Sequence, residues 1–127
     1  MTTLVLDSGA LIGVEHGDRR VLCGVQRARD HSWGVRTTGG VVAEVWRTGK
    51  GRQAPLAALL KGVEILAVDD ELGRAAGRLL AVSALGGAVD ATVVAVAKVN
   101  DTILTSDKEE IDALVTASGR RIDVARC

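Results

Sequence analysis

The sequence contains no phenylalanine and no tyrosine, and its 127 residues include two tryptophans, Trp33 and Trp46. A chain of this length supports one hydrophobic core, so we expect a single domain over residues 1–127 with an aliphatic core. So few aromatic rings also exclude base stacking as the main way in which this protein could recognise a nucleic acid.

Cysteine is equally scarce. Cys23 and Cys127 are too few for a disulfide framework or for a zinc site built on paired cysteines. No apolar run approaches the roughly 18 residues that cross a membrane, and the N-terminus lacks a signal-peptide pattern. We therefore expect a cytoplasmic protein without a membrane segment, in which Cys23 is a small packing residue and His16 and His31 lie at the surface.

The chain has no excess of charge of either sign, since 16 Lys+Arg balance 16 Asp+Glu. A net charge of zero speaks against a protein that holds nucleic acid by bulk positive charge. The charges are nevertheless unevenly distributed. Residues 1–61 hold 9 basic and 5 acidic side chains, and residues 62–127 hold 7 basic and 11 acidic ones. The sequence is thus a basic half followed by an acidic half.

Short apolar runs alternate with helical segments along the chain. Strands are predicted over residues 4–6, 33–36, 63–68, 102–105 and 122–124. Helices are predicted over residues 10–16, 18–30, 40–47, 53–61, 70 to about 85, 88–99 and 107–118, with Asp18 and Asp70 as caps. Parallel strands joined by right-handed helical crossovers follow. We predict an α/β protein, a three-layer α/β/α domain with a central parallel sheet.

Four carboxylates stand in apolar surroundings, namely Asp7, Glu44, Asp90 and Asp107. Asp7 and Asp107 follow predicted strands, at the edge where ligands bind in such folds. Glu44 and Asp90 lie in helices that are otherwise apolar and are therefore expected to be buried. An isolated buried carboxylate costs several kcal/mol, so each acid needs a hydrogen-bond donor, a cation or a metal ion.

If the four acids share one crevice, their repulsion raises some of their pKa values unless a divalent ion neutralises them. Oxygen ligands of this kind suit Mg²⁺ or Mn²⁺ better than zinc. Such a cluster can activate a water molecule and hold a phosphate in line for attack.

Each acid also has a purely structural interpretation. Asp107 and Glu110 have the spacing of a capping box, and Asp90 follows two glycines where a helix cap is common. Asp7 can bind its own backbone in a turn at the end of a strand. Glu44 can lie on an exposed edge of its helix. The metal interpretation depends on the four acids together.

The segments around these acids, in this order, resemble the PIN-domain family and within it the VapC-type toxin ribonucleases. They are residues 4–11 (LVLDSGAL), 41–45 (VVAEV), 89–95 (VDATVVA) and 103–107 (ILTSD). The resemblance spans essentially the whole chain. It implies an endoribonuclease that uses Mg²⁺ or Mn²⁺ and water to cleave RNA. It also implies a homodimer and a small antitoxin partner whose other end binds DNA.

The resemblance also assigns roles to individual residues. Asp7, Asp90 and Asp107 match metal ligands, and Glu44 matches the acid that helps to hold the metal and its water. The hydroxyl residues that precede the last acid match supporting positions, and they are Thr105 and Ser106.

The chain departs from the family pattern at the start of the helix that carries Glu44. Gly39 and Gly40 stand where a stiffer residue is expected, and they loosen the predicted position of Glu44. Three acids after Asp107 can add a fifth carboxylate, although a solvated helix face explains them more simply: Glu109, Glu110 and Asp112.

An RNA substrate requires cations for its phosphates. The basic residues after the predicted helix 40–47 are the strongest candidates for phosphate contacts, although a solvated loop explains any one of them equally well: Arg47, Lys50 and Arg52.

Two other functions stay open. One is a non-catalytic PIN-fold module that binds RNA or protein and uses its acids as caps. The other is a phospho-acceptor regulatory domain, since Asp69 and Asp70 also follow a predicted strand. The second fits poorly, because Asp7 has no acidic neighbour at the first strand and Lys108 follows Asp107 directly.

Overall fold

The five strands of the protein form one parallel sheet. In the computed structural model, which describes residues 2–127, they are β1 (Thr3–Leu6), β2 (Gly34–Thr38), β3 (Glu64–Leu66), β4 (Thr102–Thr105) and β5 (Asp123–Arg126). The strand order is β3-β2-β1-β4-β5, and every neighbouring pair is parallel. The predicted parallel sheet is confirmed.

Seven α-helices form two groups around this sheet. They are α1 (Ser8–Glu15), α2 (Arg19–Asp30), α3 (Gly39–Val45), α4 (Ala54–Leu60), α5 (Asp70–Val82), α6 (Ala88–Val96) and α7 (Lys108–Ser118). A short 3₁₀ helix over Gly51–Gln53 precedes α4. Helices α5, α6 and α7 contact one another, and α1 contacts α2, α3 and α4. This is the predicted three-layer α/β/α architecture.

The core is aliphatic, as predicted. Its largest fully buried side chains are leucine and isoleucine: Leu6, Leu11, Leu56, Ile103, Ile111 and Leu114. Both tryptophans are more than a third exposed, Trp33 at 37% and Trp46 at 38%. Within residues 2–127 no helix combines the length and the apolar character that a membrane crossing requires.

Of the element ends that differ from the sequence prediction, two have identifiable reasons. The strand predicted over residues 63–68 ends at Leu66, because β3 is an edge strand that pairs with β2 alone. The helix predicted over residues 88–99 ends at Val96. There the side chain of Arg120 donates to the carbonyl of Val94, and that of Arg36 donates to the carbonyl of Val96. These carbonyls of the last turn therefore have hydrogen-bond donors although the helix does not continue.

The predicted helix caps and packing residues also have mixed outcomes. Asp18 caps α2 as expected. Asp70 does not cap α5; the carboxylate of Asp69 accepts a hydrogen bond from the amide of Leu72 at 2.8 Å instead. Cys23 is exposed, so its prediction as a packing residue is wrong.

Candidate active site

The candidate site lies where the direction of strand order reverses. From the central strand β1 the chain builds β2 and β3 on one side, then returns to add β4 and β5 on the other. A crevice forms at such a reversal, beyond the carboxyl ends of the two strands that flank it. Asp7 directly follows β1, and Asp107 lies two residues after the end of β4. The topology therefore brings these two acids to one edge.

Asp7 is a buried carboxylate, with an exposed fraction of 2%. One of its oxygens accepts a hydrogen bond from the amide of Ala10 at 2.9 Å and so caps α1, and the other accepts from the hydroxyl of Thr105. Burial raises the pKa of Asp7, and the carboxylates of Asp90 and Asp107 raise it further, whereas its two hydrogen bonds lower it. Asp7 thus caps a helix and faces other acids at the same time.

Asp90 is half-buried in the first turn of α6. Burial raises its pKa, the carboxylates of Asp107 and Glu44 raise it further, and a bond from the amide of Gly87 opposes them. That bond is long, at 3.4 Å, and Gly87 rather than Asp90 occupies the cap position. Asp90 therefore serves α6 as the third residue of a capping box, and it also faces the carboxylates of Asp107 and Glu44.

Asp107 stands at the cap position of α7 without capping it, because its side chain accepts no hydrogen bond there. The capping-box alternative for Asp107 and Glu110 is therefore wrong. The carboxylate of Asp107 raises the pKa of Glu110, with smaller contributions from burial, Asp90 and Glu109. Asp112 instead forms an ion pair with Lys108 at 2.7 Å. Among the acids that follow Asp107, Glu110 is thus the one whose pKa is raised by the acids of the candidate site.

Glu44 is exposed, which corrects the expectation that its apolar neighbours bury it. Helix α3 is only seven residues long and buries Val41 and Val45, so Glu44 falls on its open side. One oxygen of Glu44 accepts a hydrogen bond from the hydroxyl of Ser8 at 2.5 Å. Ser8 follows Asp7 directly, so this bond ties Glu44 to the start of α1. The sequence analysis did not assign this role to Ser8.

Thr105 and Ser106 differ in what they support. Thr105 donates its hydroxyl proton to Asp7 and accepts from the amide of Asp107 at 2.8 Å, so it joins two of the acids. The exposed Ser106 instead lies over Gly9, where an added methyl group would approach its hydroxyl oxygen to 1.8 Å. Gly9 therefore permits the close approach of the turns that follow β1 and β4.

Within residues 2–127, no group of three or more His, Cys, Asp or Glu side chains is arranged so that it could hold a metal ion. Three of the four acids are held by hydrogen bonds within the protein. Asp7, Glu44 and Asp90 each accept from a donor of the protein itself, respectively Thr105 and Ala10, Ser8, and Gly87. The four acids therefore influence one another electrostatically without meeting at one point.

Known structures share this architecture at low sequence identity. No protein-family sequence model matches the chain, and no curated protein matches it. Among solved structures, a chain of VapBC2 from Rickettsia felis, bound to a promoter DNA fragment, aligns with a TM-score of 0.72 at 12% identity over 99% of both chains. A chain of DNA-bound VapBC from Salmonella typhimurium aligns with a TM-score of 0.65 at 16% identity over 98% of both chains.

A third similar structure is that of a toxin with a stated activity. VapC20 from Mycobacterium tuberculosis, a toxin that cleaves the sarcin–ricin loop, aligns with a TM-score of 0.55 at 25% identity over 73% of this chain and 79% of its own. This chain has the VapC-type PIN-domain fold. The resemblance that the four sequence segments indicated is therefore confirmed in the architecture.

The VapC-type fold leaves the carboxylate edge open rather than enclosed. A shallow cavity of about 190 Å³ beside Asp107 is lined by Ser106, Lys108, Glu109, Glu110 and Arg126. A larger cavity, about 530 Å³, lies instead between the start of α5 and the end of α6. An open edge suits a polymer that passes over the surface better than it suits a small enclosed molecule.

Of the three predicted phosphate contacts, Arg47 and Lys50 lie on the exposed loop after α3, and Arg52 lies in the 3₁₀ helix that follows it. The backbone of the loop is held by the buried side chain of Gln53, which accepts from the amides of Arg47, Thr48 and Gly49 at 3.0–3.1 Å. The guanidinium of Arg47 donates back to the carbonyls that end α3. Lys50 and Arg52 are exposed.

The acids proposed for a phospho-acceptor domain lie away from the reversal point. Asp69 and Asp70 follow β3, which is at the edge of the sheet. Asp69 caps α5, and Asp70 forms an ion pair with Arg74 at 2.9 Å on the surface. These contacts give both acids ordinary structural roles.

Proposed function

We propose that this protein is a metal-dependent endoribonuclease and the toxin of a type II toxin–antitoxin pair. The observation that carries the proposal is the buried Asp7, whose pKa is raised by burial and by the carboxylates of Asp90 and Asp107 at the reversal point of the sheet. Unlike charges would relieve this repulsion, and a divalent cation supplies the strongest relief.

The fold supports the same proposal. The structures that this chain resembles are VapBC complexes and a VapC toxin that cleaves the sarcin–ricin loop. Because both VapBC structures are bound to DNA, we propose that this protein has a small DNA-binding antitoxin as its partner. We also propose that it forms a homodimer.

Every candidate ligand is a carboxylate oxygen, a donor type that suits Mg²⁺ or Mn²⁺, and binding would require the side chains to move from the arrangement seen in residues 2–127. Asp7, Asp90 and Asp107 would hold the ion, and Glu44 would help to hold it and a water molecule. Such an ion, when bound, lowers the pKa of a water molecule and neutralises charge on a phosphate.

The remaining work is done by the protein's own groups. Thr105 and the amide of Ala10 fix the orientation of Asp7, and Ser8 holds Glu44 toward the start of α1. The raised pKa values of Asp7 and Asp90 mean that protons compete for these carboxylates, so cation binding should weaken as the pH falls. Lys50 and Arg52, with Arg47 beside them, would contact the phosphates of the RNA.

The test is cleavage of a structured RNA by the purified protein. We expect cleavage with Mg²⁺ or Mn²⁺, none with EDTA, and at least a hundredfold loss in Asp90→Asn. Asp112→Asn is the matched control, because Asp112 lies on a nearby helix but pairs with Lys108. Full activity of Asp90→Asn, or cleavage that persists in EDTA, would contradict the proposal.

A non-catalytic binding module is the second candidate, and one observation favours it. Asp7, Glu44 and Asp90 already accept hydrogen bonds from the protein, as structural acids do. Titration with Mn²⁺ in a calorimeter separates the two functions. A saturable site that Asp90→Asn removes supports the nuclease, whereas RNA binding without any Mn²⁺ site supports the binding module.

A further inference from the structure

Two buried threonines join α3 to α6. Thr38 caps α3, where its hydroxyl oxygen accepts from the amide of Val41 at 3.3 Å, and the same oxygen lies 3.0 Å from the hydroxyl of Thr92 in α6. Thr92 in turn donates to the carbonyl of Val89 at 2.6 Å. The exposed fractions are 0% for Thr38 and 5% for Thr92. We call this pair the threonine bridge.

The number of protons fixes the direction of the bridge. Each hydroxyl can donate one hydrogen bond, and Thr92 donates its bond to the carbonyl of Val89. Thr38 must therefore be the donor in the hydroxyl–hydroxyl bond, while it accepts from the amide of Val41. The result is one directed chain of hydrogen bonds from the first turn of α3 to the first turn of α6.

Helix α3 needs such external support because its own sequence is a poor helix former. It has seven residues and opens with Gly39 and Gly40. Neither glycine has a positive φ, and an added methyl group at either would meet its nearest neighbour at an ordinary 3.7 Å. The fold therefore does not require glycine at either position, and the two residues contribute little to the stability of α3.

The other end of the bridge is attached beside Asp90. The carbonyl of Val89 accepts the last hydrogen bond of this chain. Val89 immediately precedes Asp90 in α6, and Thr92 lies two residues after Asp90. The bridge therefore connects the helix that carries Glu44 with the peptide next to Asp90, and these two carboxylates influence each other electrostatically.

We propose that Thr38 and Thr92 are positioning residues of the carboxylate site, and that the bond between them sets where Glu44 stands relative to Asp90. This inference rests on the proposed metal-dependent function. Neither threonine touches the substrate or the ion; each acts through the helix to which it belongs.

The experiment measures Mn²⁺ affinity by calorimetry in Thr92→Val, which keeps the shape of the side chain and leaves Thr38 in place as the cap of α3. We expect about a tenfold loss of affinity, the size typical when a group behind a metal ligand is removed. Thr92→Ser, which restores the hydroxyl, should bind like the wild type. Hydrogen exchange at the amide of Val41 should become faster in Thr92→Val.

Two further variants keep the result independent of general destabilisation. Ile122→Val removes one buried methyl group away from the site and should leave Mn²⁺ affinity unchanged. Gly40→Ala stiffens α3 directly, and in the Thr92→Val background it should recover part of the lost affinity.

The outcomes separate this inference from the proposed function. If the wild type binds Mn²⁺ and Thr92→Val binds it equally well, the positioning role is overturned and the proposed function stands. The role is also overturned if Ile122→Val loses as much affinity as Thr92→Val. If the wild type binds no Mn²⁺, the proposed function fails, and with it the site that the bridge would position.

Discussion

Two aspartates are buried at opposite ends of the central strands, and their surroundings differ. Asp7 follows β1 and is 2% exposed, and Asp101 precedes β4 and is 1% exposed. Asp101 accepts hydrogen bonds from the amides of Thr3 at 2.9 Å and Lys98 at 2.8 Å, and the guanidinium of Arg36 lies 4.0 Å away. Asp7 also accepts two hydrogen bonds, but its charged neighbours are carboxylates.

The surroundings of the two aspartates distinguish a structural acid, Asp101, from a candidate functional acid, Asp7. Burial is the same for both, so burial by itself does not indicate function. A carboxylate that meets amides and a guanidinium stabilises the fold, whereas one that meets like charges costs stability until a cation arrives. The sign of the neighbouring charges therefore identifies the candidate active site.

The largest expected effect concerns the structural acid. Asp101→Ala leaves two backbone amides and Arg36 without their acceptor, and we expect the free energy of unfolding in urea to fall by about 3 kcal/mol. Asp123→Ala is the control, because Asp123 is exposed on the neighbouring edge strand β5, and it should change stability by less than about 0.5 kcal/mol. Equal stability of the two variants would show that Asp101 does not stabilise the sheet at the start of β1 and β4.

The sequence predicted the central strands to within one residue, because β1 and β4 are apolar runs that pair on both sides. It did not predict the structural role of Asp101, because that side chain accepts a hydrogen bond from the amide of Thr3, 98 residues away. Such long-range pairing leaves no local pattern in the sequence. Strand β3 was predicted too long for a related reason. Apolar residues continue to Val68, but at a sheet edge it is pairing that decides where the strand ends.

The sequence was enough to predict which acids belong to the candidate site, but not how their side chains are arranged. The four acids were found from their apolar neighbours, although that reasoning is wrong for Glu44 and Asp107, which are both exposed. The hydroxyls that orient them, Ser8, Thr38 and Thr92, were missed. Thr92 left a visible signal, since it is the one polar residue between Ala91 and Ala97.

The next largest effect concerns the stability of the C-terminal end of α6, where arginines bind the last carbonyls. Arg120 donates to the carbonyls of Val94 and Ala97, where it closes the helix. We expect Arg120→Ala to lower the free energy of unfolding by about 1–2 kcal/mol, because two terminal carbonyls lose a charged donor. The exposed Arg121 is the control, and Arg121→Ala should leave unfolding in urea nearly unchanged. A cost that is the same for both arginines would contradict this role.

The candidate functional acid, Asp7, should behave in the opposite way. Asp7→Asn removes a buried charge from among like charges, while asparagine still caps α1. In EDTA at pH 7 we expect the free energy of unfolding to rise by about 1 kcal/mol, although cleavage is lost. Thermal unfolding and the RNA assay on the same preparation check both parts. A fall in stability would place Asp7 in the same class as Asp101.

The smallest effect is the pH dependence of that gain. The folded pKa of Asp7 lies above its ordinary value of 3.8, chiefly because the carboxyl is buried. Below the ordinary value the carboxyl is protonated in both states, so the charge penalty is absent. As the pH rises, the unfolded chain loses its proton first and the wild type loses stability, until the pH exceeds the raised pKa.

The advantage of Asp7→Asn over the wild type should therefore grow from about pH 4 upward and then level off. Urea unfolding of both proteins in EDTA at about pH 4, 6 and 8 measures this difference. The other carboxylates titrate in both proteins, so the difference reports mainly on Asp7. An advantage that shrinks as the pH rises would mean that the hydrogen bonds from Thr105 and Ala10 outweigh burial, and Asp7 would then resemble Asp101.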